Sequence, residues 1–406
     1  MKKSSMMKRA TSLKPITNIE INIENLGFDS GAHLLVKHGL GQISAFDKIE
    51  ITGQSPEWAA QAAAWCRQHG HDFHTLENNR AVITKCSDKK QRWDRSSATS
   101  SEVLKSPSLT LGLAARGAQV EIGGPEFQFK LNKKSEVWST NSAELYQQAI
   151  TAQWNANTAI DWSQPQQHSN LLENAVVQLM TYMIENENAA LIVPARFLGQ
   201  LHPHFRETQA LLAIQIADEA RHIDVFNRRI ELYGKSPALS TAGGQASLKT
   251  LLDEQDFGVA EFLLSVLGEG TFVDLLQFIH RFAPDIATKQ FCLLAAKDES
   301  RHVSFGMSHL LEKLKTNPEF KFQLKRSVLA RYESLISTSG LNEEVFDALI
   351  ILASGKMNPE AVASGFKEVQ LLLQEMKDGR RVRLERLGFT NSEAIEISSL
   401  HTRNFM

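Results

Sequence analysis

The chain has 406 residues, enough for two domains or for one large domain with a small companion. Hydrophobic residues make up 42% and charged residues 22%, and the net charge of −2 exerts no bulk pull toward nucleic acid or an anionic membrane surface. No run approaches about 18 consecutive apolar residues, so no membrane span is expected, and three scattered cysteines (Cys66, Cys86, Cys292) fit a reducing cytoplasm better than a disulfide scaffold.

Residues 1–18 form a basic polar tail without the apolar stretch of a secretory signal. From 19 to 86 the pattern alternates quickly. "IEINIENL" reads as a strand, "GAHLLVKHGL" as a short helix, "FDKIEIT" as a strand and "SPEWAAQAAAWCRQHG" as a helix opened by Ser55-Pro56. "DFHTLEN" and "RAVITK" make a hairpin-like pair around Asn78-Asn79. The predicted order is βαβαββ, a small two-layer α/β domain. With "LGFDSGAHLLVKHGL" and "WCRQHGHDF", it resembles the TusA-like sulfur-carrier domains, which carry a reactive cysteine in a Cys-Pro-x-Pro motif at the start of the first helix. Here the matching stretch is Phe28-Asp29-Ser30-Gly31. The resemblance implies the fold, and the missing nucleophile argues against sulfur transfer. A docking or stabilising module is expected.

Residues 87–107 are polar, charged and serine-rich, a linker pattern, and 108–144 form a connecting segment with two short strand-like pieces, "AQVEIGG" and "EFQFKLN". From about 140 the chain is helical, interrupted at Gly234-Lys235-Ser236-Pro237 and near Gly243-Gly244. The helical part divides into a bundle at 145–310 and C-terminal helices at 311–406, with "VFDALIILASG" and "FKEVQLLLQEM" as two amphipathic stretches. These either cover the bundle or form a dimer face.

The bundle region writes Asp-Glu-x-Arg-His twice, at 218–222 and 298–302. Residues i and i+3 of a helix lie about 60° apart in projection, so Glu219 projects with His222 and Glu299 with His302. A carboxylate and an imidazole at this spacing can bind one metal ion; on an exposed helix the same pattern is usually a solvated face. Here each pair shares an apolar stripe: Leu212, Ile216, Ile223 and Phe226 in the first case, Phe291, Cys292, Ala295 and Val303 in the second. Charged groups facing a core are paired or hold a metal.

A two-metal core in a four-helix bundle needs one more carboxylate from each of two further helices. Upstream of Glu219 the choice is between Glu185 and Glu187. Glu187 lies on the stripe of Val176, Met180, Met183 and Leu191, whereas Glu185 shares a polar side with Gln178 and Thr181. Upstream of Glu299 it is between Glu261 and Glu269. Glu269 is 30 residues before Glu299, close to the 32 that separate Glu187 from Glu219, and Glu261 is 38 before it. Two glycines flank Glu269 and weaken the helix locally, for backbone distortion, ligand approach or simple packing. The predicted ligands are Glu187, Glu219, His222, Glu269, Glu299 and His302, a set suited to iron or manganese.

This arrangement over residues 145–310 resembles the ferritin-like di-iron carboxylate proteins, in the branch of ribonucleotide reductase small subunits and bacterial di-iron monooxygenases. "QWNANTAIDW", at 153–162, is similar to a tryptophan-containing segment that precedes the first metal helix in that branch. The resemblance implies that Asp218 accepts the distal N–H of His302 and Asp298 that of His222, with Arg221 and Arg301 paired to these acids. Two iron ions, or manganese in part, O₂ as co-substrate and an external electron donor are implied. The radical tyrosine of the reductases is replaced by Phe226, and a cage-forming ferritin would be far shorter. The threonine of the hydrocarbon monooxygenases corresponds to Val273, and the additional histidine of the arylamine N-oxygenases to Ala295.

The expectation is a di-iron oxygenase or oxidase acting on a small organic or carrier-presented substrate, in a cytoplasmic homodimer. Gln215, Phe226, Phe272, Val273, Cys292 and Ala295 are candidate pocket residues. His202 and His204 are expected in a solvated loop. A non-catalytic metal-binding or docking protein is the alternative from another class. A tRNA hydroxylase is a third, which the near-neutral charge disfavours.

Overall fold

In the computed structural model, which describes residues 19–86, 96–163, 166–336 and 343–400, the alternating "IEINIE" is strand β1 (Ile19–Glu24). Helix α1 (Ala32–Gly41), strand β2 (Lys48–Gly53), helix α2 (Trp58–His69) and strands β3 (Asp72–Leu76) and β4 (Arg80–Thr84) follow. The sheet order is β1-β2-β4-β3, with β1 parallel to β2 and the other pairs antiparallel. Between β3 and β4, Asn78 and Asn79 take left-handed φ values of 59° and 56°, which asparagine tolerates better than most residues. Alternate side chains of the sheet (Ile23, Ile49, Ile51, Ile83) meet Val36, Ala62 and Cys66 of the two helices in one buried cluster. Helix α2 opens at Trp58, past the Ser55-Pro56 pair. The Phe28–Ser30 stretch is a 3-10 turn that leads through Gly31, at φ 116°, into α1.

By internal contacts the chain divides into two units: Met1–Thr99 with Gly117–Gly124, and Ser100–Arg116 with Pro125–Met406. This division differs from the linear reading of linker and connecting segment. Strand β5 (Ser97–Ala98) pairs with β6 (Gln119–Val120), and this pairing draws the 117–124 stretch into the first unit. "AQVEIGG" is therefore strand only at two residues, and "EFQFKLN" contributes a single bridge, Leu131 to Leu201. The tail 1–18 and the 87–95 part of the linker lie outside the described residues.

The second unit is helical. After α3 (Lys134–Val137), α4 (Ser142–Thr151) and α5 (Ala156–Ala159) come the long helices α6 (Asn170–Leu198) and α7 (Arg206–Leu232), then α8 (Ala242–Asp253). Helix α9 (Phe257–Glu261) runs on through a π-helical segment, Phe262–Glu269, into α10 (Gly270–Phe282), and α11 (Ile286–Thr316) follows. The starts have local causes. Ser169, Asp256 and Asp285 each accept a backbone N–H of the first turn of α6, α9 and α11. Gly243 and Gly244 fall inside the first turn of α8, where Thr241 caps Gly244 N, so they do not interrupt it.

Helices α6, α7, the α9–α10 run and α11 form a four-helix bundle with two apolar clusters. Phe197, Phe205, Phe257, Phe262 and Phe305 mark one; Met180, Met183, Phe226, Leu275 and Phe291 mark the other. Helices α12 (Phe320–Ile336), α13 (Glu343–Ser354), α14 (Pro359–Arg386) and α15 (Asn391–Ser399) complete the chain. Leu349 and Leu352 of α13 and Leu372 and Met376 of α14 belong to the second cluster, so these helices cover the bundle. The Phe257–Phe282 run is long and apolar enough to cross a membrane by composition, but 78% of its most apolar window is buried in the protein: it is the bundle's core helix.

Candidate metal centre

The four long helices bring all six predicted ligands to one place. Glu187 comes from α6, Glu219 and His222 from α7, Glu269 from the end of the π segment, and Glu299 and His302 from α11. None is more than 4% exposed. The donors fall into two overlapping groups, Glu187/Glu219/His222/Glu299 and Glu219/Glu269/Glu299/His302, with atoms within 4.8 Å of one another in each.

The distances define the roles. His222 Nδ1 lies 3.1 Å from Glu219 Oε2, 3.5 Å from Glu299 Oε1 and 3.6 Å from Glu187 Oε1. His302 Nδ1 lies 3.0 Å from Glu219 Oε1, 3.5 Å from Glu299 Oε2 and 3.9 Å from Glu269 Oε1. Glu219 and Glu299 thus direct one oxygen toward each histidine, whereas Glu187 faces His222 and Glu269 faces His302. The Glu-x-x-His pairs are therefore not self-contained half-sites, as spacing alone suggests: the two motif glutamates span both halves.

Both imidazoles turn Nδ1 inward and Nε2 outward. His222 Nε2 meets Asp298 Oδ2 at 3.2 Å and His302 Nε2 meets Asp218 Oδ2 at 3.4 Å, each aspartate on the opposite helix. An acceptor at Nε2 fixes the tautomer and orients the ring. Arg221 bonds both Asp218 and Asp298, and Arg301 bonds Asp298 and lies 3.7 Å from Asp218. The segment before α6 closes this layer: Trp154 Nε1 donates to Asp298 at 2.8 Å, Gln153 Nε2 to Asp218 at 2.9 Å, and the Arg221 guanidinium stacks 4.6 Å from the Trp154 ring.

The electrostatics follow from burial and charge crowding. Burial, with the charges of Glu219 and Glu299, holds Glu187 well above the usual carboxylate range, and burial does the same to Glu269. Burial opposes the charge on His222 and His302, but the carboxylates around them raise both well above the ordinary imidazole value. Glu219 is also buried, yet the two imidazoles keep it below the usual range. Glu187 Oε1, Glu219 Oε1, Glu269 Oε2, both oxygens of Glu299 and His302 Nδ1 are buried and make no hydrogen bond. Converging carboxylate and imidazole donors left unsatisfied in an apolar interior fit a divalent metal pair.

The candidate pocket residues separate. A small pocket beside the cluster, about 20 Å³ and so room for about one water, is walled by Glu187, Glu269, Glu299, Ala190, Leu264 and Phe272 among others. Gln215 is not in its wall; its Nε2 donates to Glu269 Oε1 at 3.2 Å. Phe226 packs with its ring centroid 6.5 Å from that of His222 and 5.5 Å from that of Phe291. Cys292 and Ala295 are buried in the second apolar cluster, and Val273 is half-buried on α10.

His202 and His204 do lie between α6 and α7, but they are buried. His204 Nε2 accepts from Leu104 N at 2.8 Å and His202 Nε2 lies 3.2 Å from Ser108 O, so packing of residues 104–108 covers a loop expected to be solvated. One buried network went unforeseen. Arg229 donates to Glu173, Asp285 and Thr288, and His168 meets Glu173 at 2.6 Å. Its one signal in the sequence is Arg229 itself, two turns after His222 on the apolar stripe.

The chain matches no protein-family model and no curated protein sequence. Among solved structures it is similar to two variants of an R2-like ligand-binding oxidase, each with an aerobically reconstituted Mn/Fe cofactor. One is 18% identical with a TM-score of 0.51 over 61% of this chain and 97% of its own. The other is 17% identical with the same TM-score, over 61% and 94%. The bundle has the ferritin-like fold of these oxidases. At this identity the likeness speaks for the fold.

Proposed function

We propose that this chain is a dimetal-carboxylate oxidoreductase, an O₂-dependent oxidase or oxygenase acting on a small organic or carrier-presented substrate. The observation that carries the reading is the six-donor cluster, with each motif glutamate shared between two histidines and six of its buried donor atoms without a hydrogen bond. Glu187, Glu219, His222 and Glu299 would hold one metal, and Glu219, Glu269, Glu299 and His302 the other. Two irons, or manganese with iron as in the oxidases of like fold, would supply O₂ binding and electron transfer.

The protein's own part is positional. Asp298 and Asp218 accept the Nε2 protons, so that both Nδ1 atoms face inward unprotonated once metal is bound. Gln215 holds one oxygen of Glu269. Ala190, Leu264 and Phe272 give the small pocket beside the donors its apolar wall, and any substrate larger than a diatomic gas requires these walls to part. Phe226 offers no phenol beside His222, which supports substrate oxidation over storage of a tyrosyl radical. Electrons come in this reading from a separate donor protein, and the N-terminal unit, with no cysteine in Phe28–Gly31, acts as a docking or stabilising module.

The test is anaerobic loading of the full chain with Fe(II), metal counting, and rapid mixing with O₂ followed optically and by Mössbauer spectroscopy, for wild type and Glu299→Ala. About two irons per chain, oxidised rapidly by O₂ in wild type and not in the variant, support the proposal. One metal or none, or ions inert to O₂, leave a binding or structural bundle instead.

A further inference from the structure

The core helix departs from α geometry over Phe262–Glu269, the segment that ends in Glu269. A π turn uses i→i+5 bonding, so it leaves carbonyls without their usual α-helical partner and is favoured only where something else satisfies them. The Val266 carbonyl accepts a hydrogen bond from Arg383 Nε at 2.8 Å, and Arg383 belongs to α14, 117 residues further on.

Two glycines on different helices make room for that guanidinium. A Cβ on Gly270 would lie 2.5 Å from Arg383 Cζ and 2.6 Å from Nε, and one on Gly379 would lie 3.2 Å from Nη1. Gly270 has φ −59°, ordinary helical backbone, so it is the absence of a side chain that the contact uses. Asp274, one turn beyond Gly270, acts on Arg383 with its charge, and Arg380, one turn before Arg383, donates to Thr271 Oγ1 at 3.3 Å. Burial lowers Arg383 to about 10, so it stays cationic at neutral pH.

We propose that Arg383 is a positioning residue for Glu269: its guanidinium, seated between Gly270 and Gly379, clamps the π turn through the Val266 carbonyl and so aims Glu269 at His302. This rests on the dimetal reading above. The reason is geometric. Relaxing the π turn to α geometry shifts the register by one residue, which turns one side of the segment against the other by about 100°. The same contact ties the C-terminal helices to one half of the centre, the Glu269/His302 half, and not to the Glu187/His222 half.

The experiment uses the full chain as wild type, Arg383→Gln, Arg383→Lys and Gly270→Ala, the last displacing the guanidinium without removing it. Co(II) titration followed by its visible absorption reads the two metal positions, and amide hydrogen exchange of the metal-free proteins reads residues 262–269. The expected result is a selective loss: one Co(II) bound as in wild type, the other about 10–100-fold weaker, the range seen when groups that orient a ligand are removed. Arg383→Lys should recover part of the loss, and exchange in 262–269 should quicken in Arg383→Gln and Gly270→Ala.

Two tight Co(II) positions in folded Arg383→Gln, or equal weakening of both in step with a global fall in Tm, would overturn the clamp. Should Arg383→Gln fail to fold, Gly270→Ala decides by the same criteria. If wild type itself binds no Co(II), the dimetal reading and the role assigned to Glu269 fall together. Hydrogen exchange then still shows whether Arg383 holds the π turn.

Discussion

Glu219 and Glu299 differ from the other donors because each serves both histidines. Glu299→Gln should therefore lower bound metal from two ions per chain to one or none by elemental analysis after gel filtration, whereas Glu185→Gln, on the half-buried side of α6, should retain two. Asp298→Ala removes the acceptor behind His222 together with the partner of Trp154, Arg221 and Arg301, and should weaken metal binding by about 10–100-fold without abolishing it; an unchanged affinity would deny the aspartate its orienting role. The protonation pattern makes a further prediction. Glu187, Glu269, His222 and His302 all have folded-state pKa values above their unfolded ones. The metal-free fold thus binds more protons than the unfolded chain, and its stability falls as pH rises above about 7. Glu219 and Asp298, both lowered, are ionised in both states there and add no slope. Metal must displace the extra protons, so affinity climbs over the same interval. The Tm gap between Mn(II)-loaded and metal-free protein should widen from about pH 7 to 8.5, and a constant gap would contradict these shifts.

At the scale of elements, a buried ion network pins three helices of the bundle together. Arg229 of α7 reaches Glu173 of α6 and Asp285 at the start of α11, all at most 3% exposed. Removing one partner of such a network leaves an uncompensated buried charge and costs about 3–5 kcal/mol. Glu173→Ala should therefore lower denaturant stability by that amount. It should still bind two metals once folded, because none of these residues reaches the donor cluster. Loss of metal in a folded Glu173→Ala would instead make the network part of the site.

At the scale of the whole molecule, all six donors, the aspartates behind them and the Gln153–Trp154 segment belong to the second unit. A chain lacking residues 1–86 is expected to bind two metals with the affinity of the full chain, as measured by competition with a chromogenic chelator. A large loss would show that the first unit shapes the centre.

The six residues that the fold brings together were legible in the sequence. The i, i+3 pairs, their repetition and the matched 30- and 32-residue offsets are local or periodic signals, and the apolar stripe of α6 separates Glu187 from Glu185. The sequence determined the βαβαββ order for the same reason. Glu269 is preferred to Glu261 in the sequence for its apolar neighbours and its spacing; in the structure both are buried, and the π segment between them changes the phase of the helix. The sharing of Glu219 and Glu299 between both histidines, the burial of His202 and His204, the Arg229 network and the Arg383 contact were decided by tertiary structure. Each depends on partners 56 to 117 residues away or on covering segments, and such pairings leave no period in the sequence of either partner.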